Sequence, residues 1–109
     1  MANIYRNAKV DLTTTDNTTV YTSPSNSRAI VKSILVSDDS GSGDSTNVTL
    51  TDASSAIFTL FKTKTIGSNA TTELITQPII LQESEILKAQ ATTAGRLHII
   101  VSLLEINRD

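Results

Sequence analysis

An all-β sandwich or barrel is the fold class this sequence predicts, on three observations. Short apolar segments recur at intervals of about 8–12 residues, with turn-forming residues between them. Ser and Thr make up more than a quarter of the 109 residues, yet they alternate with Val, Ile and Leu instead of gathering into a tract. That is the pattern of strands with one wet face, and the β-branch of Thr suits an extended backbone. The segment from Val20 to Asp39, VYTSPSNSRAIVKSILVSDD, then shows the building unit: a short strand, a Ser/Pro/Asn corner, and a long apolar strand climbing out of it.

Nine strands are expected in order. Lys9 to Thr14 and Thr18 to Thr22 flank the Asp16-Asn17 turn. Ala29 to Ser37 follows the corner Ser23-Pro24-Ser25-Asn26-Ser27, where Pro24 pre-sets its own φ and offers no ladder donor. Thr46 to Thr51 comes after the loop Ser40-Gly41-Ser42-Gly43-Asp44, and Ala56 to Thr63 precedes Gly67-Ser68-Asn69. Thr71 to Ile75 and Gln77 to Leu81 are short, and Gln82-Glu83-Ser84 turns the chain into Glu85 to Ala91. A helix competes over Ser84 to Gln90, with Ser84 as cap, but Ile86, Lys88 and Gln90 alternate with Leu87, Ala89 and Ala91. A Gly95-Arg96 turn should return that strand as a hairpin to Leu97 to Ile106. Residues 1–109 form one domain, within which 1–8, polar and without strong alternation, read as a flexible N-terminal arm. That arm could reach a neighbour through Ile4 and Tyr5 or be a frayed terminus.

Several strands carry apolar residues on both faces. In the last, Leu97, Ile99, Val101 and Leu103 face one way, and Ile100, Leu104 and Ile106 the other. Phe58 and Leu60 against Ile57 and Phe61 repeat this, as do Ile30, Ile34 and Val36 against Val31 and Leu35. Such a strand is covered twice or shows its second face to another subunit, since large exposed apolar patches are uncommon on soluble monomers. A homo-oligomer is therefore expected, with Ile4, Tyr5, Phe58, Leu60, Ile100, Leu104 and Ile106 as candidate oligomer or partner contacts.

Composition narrows the function classes. A net charge of −2 and only four aromatic residues, Tyr5, Tyr21, Phe58 and Phe61, speak against nucleic acid, which needs a basic face and stacking platforms. The absence of cysteine removes disulfides and thiolate metal sites. Charged or polar residues interrupt every apolar run well short of the ~20 residues of a membrane span, and MANIYRNAKVDL lacks the apolar stretch of a signal peptide. Synthesis and folding in the cytoplasm, with no membrane partner, are expected.

No cofactor, metal or catalytic set is expected either. His98, the single histidine, has no Cys or second His beside which to act, and reads as a strand residue meeting water or a carbonyl. Asp38, Asp39 and Asp44 share a loop and could offer oxygens to calcium, but the spacing does not match an EF-hand, and solvated turn acids are the simpler reading. Glu83 and Glu85 share a strand face without making a cleft. Gly41 and Gly43 lack the lysine and helix of a phosphate loop. Arg28, Lys32, Lys62, Lys64, Lys88 and Arg96 are spread along the chain as solvated groups and edge gatekeepers.

Across nearly its whole length, KVDLTTTDNTTVYTSPSNSRAIVKSILVSDDSGSGDSTNVTLTD and then FTLFKTKTIGSNATTELITQPIILQESEILKAQATTAGRLHIIVSLLEI, the sequence resembles small virion structural proteins of tailed bacteriophages, particularly marine ones. The segments that carry the resemblance are VYTSPSNSRAIVKSILV, the turn and strand after Pro78, and the closing LHIIVSLLEI. Where such proteins often place Gly in the later turn, this chain has Gln82-Glu83-Ser84-Glu85, which puts the turn type in question. The resemblance implies a jelly-roll-like sandwich without enzymatic activity, present in the virion and assembled in the host cytoplasm. It would bind the major capsid protein or other virion proteins as a capsid decoration or cement protein, with a trimer the commonest arrangement in that class. A neck or tail component is the alternative, as is a carbohydrate-binding adhesion module, although aromatics for a sugar site are sparse.

Overall fold

The computed structural model describes residues 2–108, and among them every regular element is a strand. The strands are β1 (Ala2–Leu12), β2 (Thr18–Thr22), β3 (Ser27–Asp38), β4 (Asp44–Thr51), β5 (Ile57–Ile66), β6 (Thr71–Glu73), β7 (Ile79–Leu81), β8 (Ile86–Ala91) and β9 (Leu97–Asn107). They form two antiparallel sheets, one ordered β1-β9-β3-β6 with β7 also on β3, the other β2-β8-β4-β5. Treating β6 and β7 as one broken strand, this is the jelly-roll order, in which first pairs with last and second with next-to-last.

Between the sheets lies an aliphatic core. Leu12, Ile34, Ile66, Leu81, Leu87, Leu97 and Ile99 are its largest fully buried side chains, while Tyr21 and Phe61 pack against it from the margin. At roughly 1.5–3 kcal/mol per buried Leu or Ile, this layer supplies the main drive to fold a chain without disulfides. β9 sits at the centre of its sheet, paired along its whole length with β1 on one side and β3 on the other.

Three expectations change. Residues 2–8 are no arm: they are the first part of β1, in register with β9 from Ala2↔Asn107 to Ala8↔Val101, and Met1 lies outside the described residues. Weak alternation hid this strand because Arg6 occupies an inward position, where Glu105 receives it. The Ser84 to Gln90 alternative resolves as strand, but β8 and β9 do not form a hairpin, since they belong to opposite sheets. The 92–95 loop crosses between the layers, tied by Thr92 N to Ser45 O, Thr93 N to Asp44 Oδ2 and Gly95 N to Leu12 O. The third change is a bulge in β3 between Val31 and Ser33. It breaks strict alternation, so Ile30 falls on the outer face while Ile34 and Val36 are fully buried. Glu73 stitches that bulge: its carboxylate accepts from Ile34 N at 2.8 Å and Ser33 Oγ at 2.5 Å, next to the break between β6 and β7.

The turns show where side chains replace glycine. Ser84 takes φ 66° in the 82–85 turn, which closes through Glu85 N to Gln82 O and anchors to the Pro24 corner through Ser84 N to Ser23 O. In the 38–44 loop Asp38 is buried, and its carboxylate accepts from Ser40 N (2.9 Å), Ser40 Oγ (2.5 Å), Gly43 N (2.6 Å) and Asn69 N (3.3 Å). The Ser40 hydroxyl foremost, then these backbone N–H groups, outweigh burial and hold Asp38 at about 2 against an ordinary 3.8. Gly43 is the position that needs glycine: φ is +71°, and a Cβ would stand 3.2 Å from Ile66 O.

Two outcomes follow from this loop. A carboxylate depressed in the folded state contributes stability above its unfolded pKa, and loses it as pH falls through the folded value. Wild-type melting temperature should therefore drop between about pH 4 and pH 2, and Asp38→Asn should start lower and flatten that slope in calorimetry. Gly43→Ala should cost about 1–2 kcal/mol in denaturant unfolding from left-handed backbone strain and the clash with Ile66 O.

Candidate assembly surface

Sheet pairing determines which residues share the outer face of the β1-β9-β3 sheet. One row across it reads Tyr5, Leu104, Ile30, Ile80, each directly opposite the next on a neighbouring strand. Tyr5 is 75% exposed and Ile80 62%, with Leu104 and Ile30 half-buried between them, so an apolar stripe runs across β1, β9, β3 and β7 and is most open to solvent at its two ends. With strands about 4.8 Å apart it spans about 15 Å. Flanking it are the row Asn3, Ile106, Arg28 on one side, and Asn7, Ser102, Ser33 with Lys32 on the other. Beyond these come Lys9, Ile100, Leu35, Glu73, then Asp11, His98, Ser37, Thr71.

The opposite outer face, of the β2-β8-β4-β5 sheet, is built differently. Thr19, Lys88 and Thr49 form one row across it, and Asn47 pairs with Gln90 beside them. That face has the half-wet pattern usual in antiparallel sheets. Its margin is β5, an edge strand pairing only with β4 among the described residues, where Ile57 (63%), Phe58 (55%) and Leu60 are exposed. Two register irregularities interrupt the β4–β5 ladder, and at one of them Thr63 adopts φ 54° with its N–H held by Asn47 Oδ1 at 2.6 Å. Lys62 and Lys64 occupy the guarded half of this edge, and Ile57 to Leu60 carry no charge.

Of the expected contact residues, Tyr5, Leu104, Ile100 and Ile106 are brought together on one face. Phe58 and Leu60 lie on the other sheet's edge. Ile4 pairs with Glu105 on the inward side and is half-buried. Sequence reasoning missed Ile80 and the place of Ile30 in the stripe. The two-faced pattern of β3 was the available signal, but the bulge that sorts its faces leaves no mark in the sequence.

Behind the stripe, Glu105 points into the sandwich, 3% exposed, and links three strands. Its Oε1 accepts from the Tyr21 hydroxyl at 2.6 Å and its Oε2 from Arg6 Nε at 3.0 Å, tying β9 to β1 in its own sheet and to β2 in the other. Burial would raise the Glu105 pKa, but the Tyr21 hydroxyl and the Arg6 guanidinium overcome it and hold the carboxyl below its usual range. Burial foremost, with the Glu105 bond, pushes the Tyr21 hydroxyl up.

The polar side chains otherwise serve the scaffold. His98 stands between Asp11 (Nε2 to Oδ1 3.2 Å) and Asp39 (Nδ1 to Oδ2 3.7 Å). The three loop acids considered for calcium diverge: Asp38 holds its loop, Asp39 faces His98, and Asp44 accepts from Thr93 N. Glu83 pairs with Arg108 at 2.9 Å, and Glu85 accepts from Gln82 N. Among the described residues no group of three His, Cys, Asp or Glu is placed to hold a metal ion.

By its strand order the chain falls in the class of jelly-roll β-sandwiches. Comparison with protein-family models and with curated protein sequences finds no match. Among solved structures, a chain of the acidic stable capsid structure of Helicobacter pylori bacteriophage KHP30 is similar in fold. It is 12% identical, with a TM-score of 0.59 over 97% of this chain and 89% of that chain.

Glu105→Ala should lower stability by about 2–3 kcal/mol in denaturant unfolding, because it leaves Tyr21 OH and Arg6 without their shared acceptor.

Proposed function

We propose that this protein is a non-enzymatic structural component of a bacteriophage virion, and that within the particle it is a decoration or cement protein on the head. The observation that carries the reading is the fold match to a chain of a phage capsid structure, which extends over 97% of this chain. The apolar stripe of Tyr5, Leu104, Ile30 and Ile80 supports it, since a row of apolar side chains running across four strands on an outer face suits a protein that works by being covered. Assembly takes place in the host cytoplasm. The protein acts as a homo-oligomer, a trimer by resemblance to its class, and its partner is the major capsid protein or another virion protein. Contacts use Tyr5, Ile100, Leu104 and Ile106 on the sheet face and Phe58 and Leu60 on the β5 edge, with Ile4 at the margin.

On this reading the mechanism is mechanical. Many copies add interface area across boundaries between capsid subunits and stabilise the assembled shell by mass action. Gold-labelled protein should decorate the heads of purified particles, and particles lacking it should rupture at lower temperature. Label confined to neck or tail would replace the head assignment, and equal heat stability with and without the protein would remove the cement role.

A further inference from the structure

We infer that the outer face of the β1-β9-β3 sheet is built to receive an acidic protein surface, one that sets apolar side chains between carboxylates, and not the same face of a second copy of this chain. The inference rests on the structural-protein reading for the existence of a partner.

Size gives the first step. The exposed stripe of Tyr5, Leu104, Ile30 and Ile80, widened by Ile100 and Leu35, covers roughly 200–300 Å², judged from strand spacing and rise. A stable interface needs on the order of 800 Å² per partner. Any occupant that seats on the stripe must also cover the rows beside it.

Charge gives the second. Those rows hold Arg28 on one side of the stripe and Lys32, then Lys9, on the other. All three are exposed and make no ion pair among the described residues. Lys32 leans over the stripe itself, its Nζ 5.7 Å from the centre of the Tyr5 ring. The carboxylates of the same face are engaged. Glu73 accepts from Ser33 Oγ and Ile34 N, and Asp11 lies at the far end of the face against His98. Of the other cations, Arg6 is neutralised by Glu105, Arg108 by Glu83 and Arg96 is held on the Gly43 carbonyl, while Lys62, Lys64 and Lys88 of the other sheet likewise make no ion pair among the described residues. What sets Lys9, Arg28 and Lys32 apart is their place: they stand on both sides of the stripe, in a chain of net charge −2.

Together these decide the occupant. Two-fold self-docking centred on the stripe would bring Arg28 and Lys32 against the same residues of the other copy, with Glu73 bonded within its own chain two rows away, at a cost in like-charge repulsion. A surface of opposite charge pairs with all three and covers the apolar row at once.

The test selects a random short-peptide display library on the immobilised full chain. Recovered binders should be enriched in Asp and Glu among apolar residues. Their affinity should fall about tenfold as salt is raised from low to high ionic strength. Lys9→Glu with Arg28→Glu and Lys32→Glu should abolish binding. Lys62→Glu with Lys64→Glu and Lys88→Glu, an equal charge change on the other sheet, should leave it unchanged. Sedimentation should show the same oligomeric mass for both variants as for wild type, and a Lys9→Gln, Arg28→Gln, Lys32→Gln variant of wild-type melting temperature controls for folding. Binders without acidic enrichment, no binders, equal loss in both charge-reversed variants, or a mass change on reversing Lys9, Arg28 and Lys32 would each overturn the inference. Absence of the protein from phage particles would remove the functional reading and leave this result standing.

Discussion

Everything in the molecule depends on the pairing of β9 between β1 and β3. Eleven residues of β9 are matched on both sides, so its backbone is taken up by two ladders and its pleat parity sets the faces of both neighbours, across the one bulge in β3. Leu97, Ile99, Val101, Leu103 and Glu105 are thereby committed to the interior, and His98, Ile100, Ser102, Leu104 and Ile106 to the outside. A slip of one residue would exchange these sets and place five apolar or buried groups in solvent, which is why the register is strongly specified. The outer stripe follows from the same parity: Tyr5 and Ile30 join Leu104 because the ladder sets them opposite it.

Glu105 is the one charged member of the inward set, and the design around it shows how a sandwich with an all-aliphatic centre closes its end. A buried carboxylate is tolerated only where donors meet it, and here they come from Arg6 and Tyr21. The Tyr21 bond crosses between the sheets. It ties the two layers together at the end where Arg6 is the polar inward residue of β1. Asp38 plays the equivalent role at the other end, gathering the 38–44 and 67–70 loops around one carboxylate. Asp38, Asp44 and Glu85, which look like ligands in the sequence, are acceptors for backbone donors in the fold.

The two outer faces divide the surface chemically. The outer rows of the β2-β8-β4-β5 sheet are mostly polar, Thr19 with Lys88 and Asn47 with Gln90, and its exposed apolar side chains, Ile57, Phe58 and Leu60, are confined to the β5 edge. The opposite face differs in arrangement: its apolar row runs across four strands, with Arg28 on one side of it and Lys32 and Lys9 on the other. On a scaffold without cysteine, and with no assembled metal or catalytic cluster among its described residues, this asymmetry is the main chemical information the surface carries.

Sequence alone determined the all-β class, the Pro24 corner, eight strands to within a few residues, and the two-faced character of β3 and β9. These are written in local turn chemistry and period-two alternation, which need no knowledge of what a strand meets. It did not reveal β1 before Lys9, because Ala2 to Ala8 is extended only by virtue of its ladder with β9, and Arg6 faces inward only because Glu105 waits there. It wrongly suggested a β8–β9 hairpin, since a glycine-bearing loop serves a crossover between layers as well as a tight return. The stripe and its cations were likewise out of reach: Tyr5, Leu104, Ile30 and Ile80 are remote in the chain, as are Lys9, Arg28 and Lys32. Only strand order, register and one bulge bring each set onto the same face, and those are settled by long-range packing that no local pattern records.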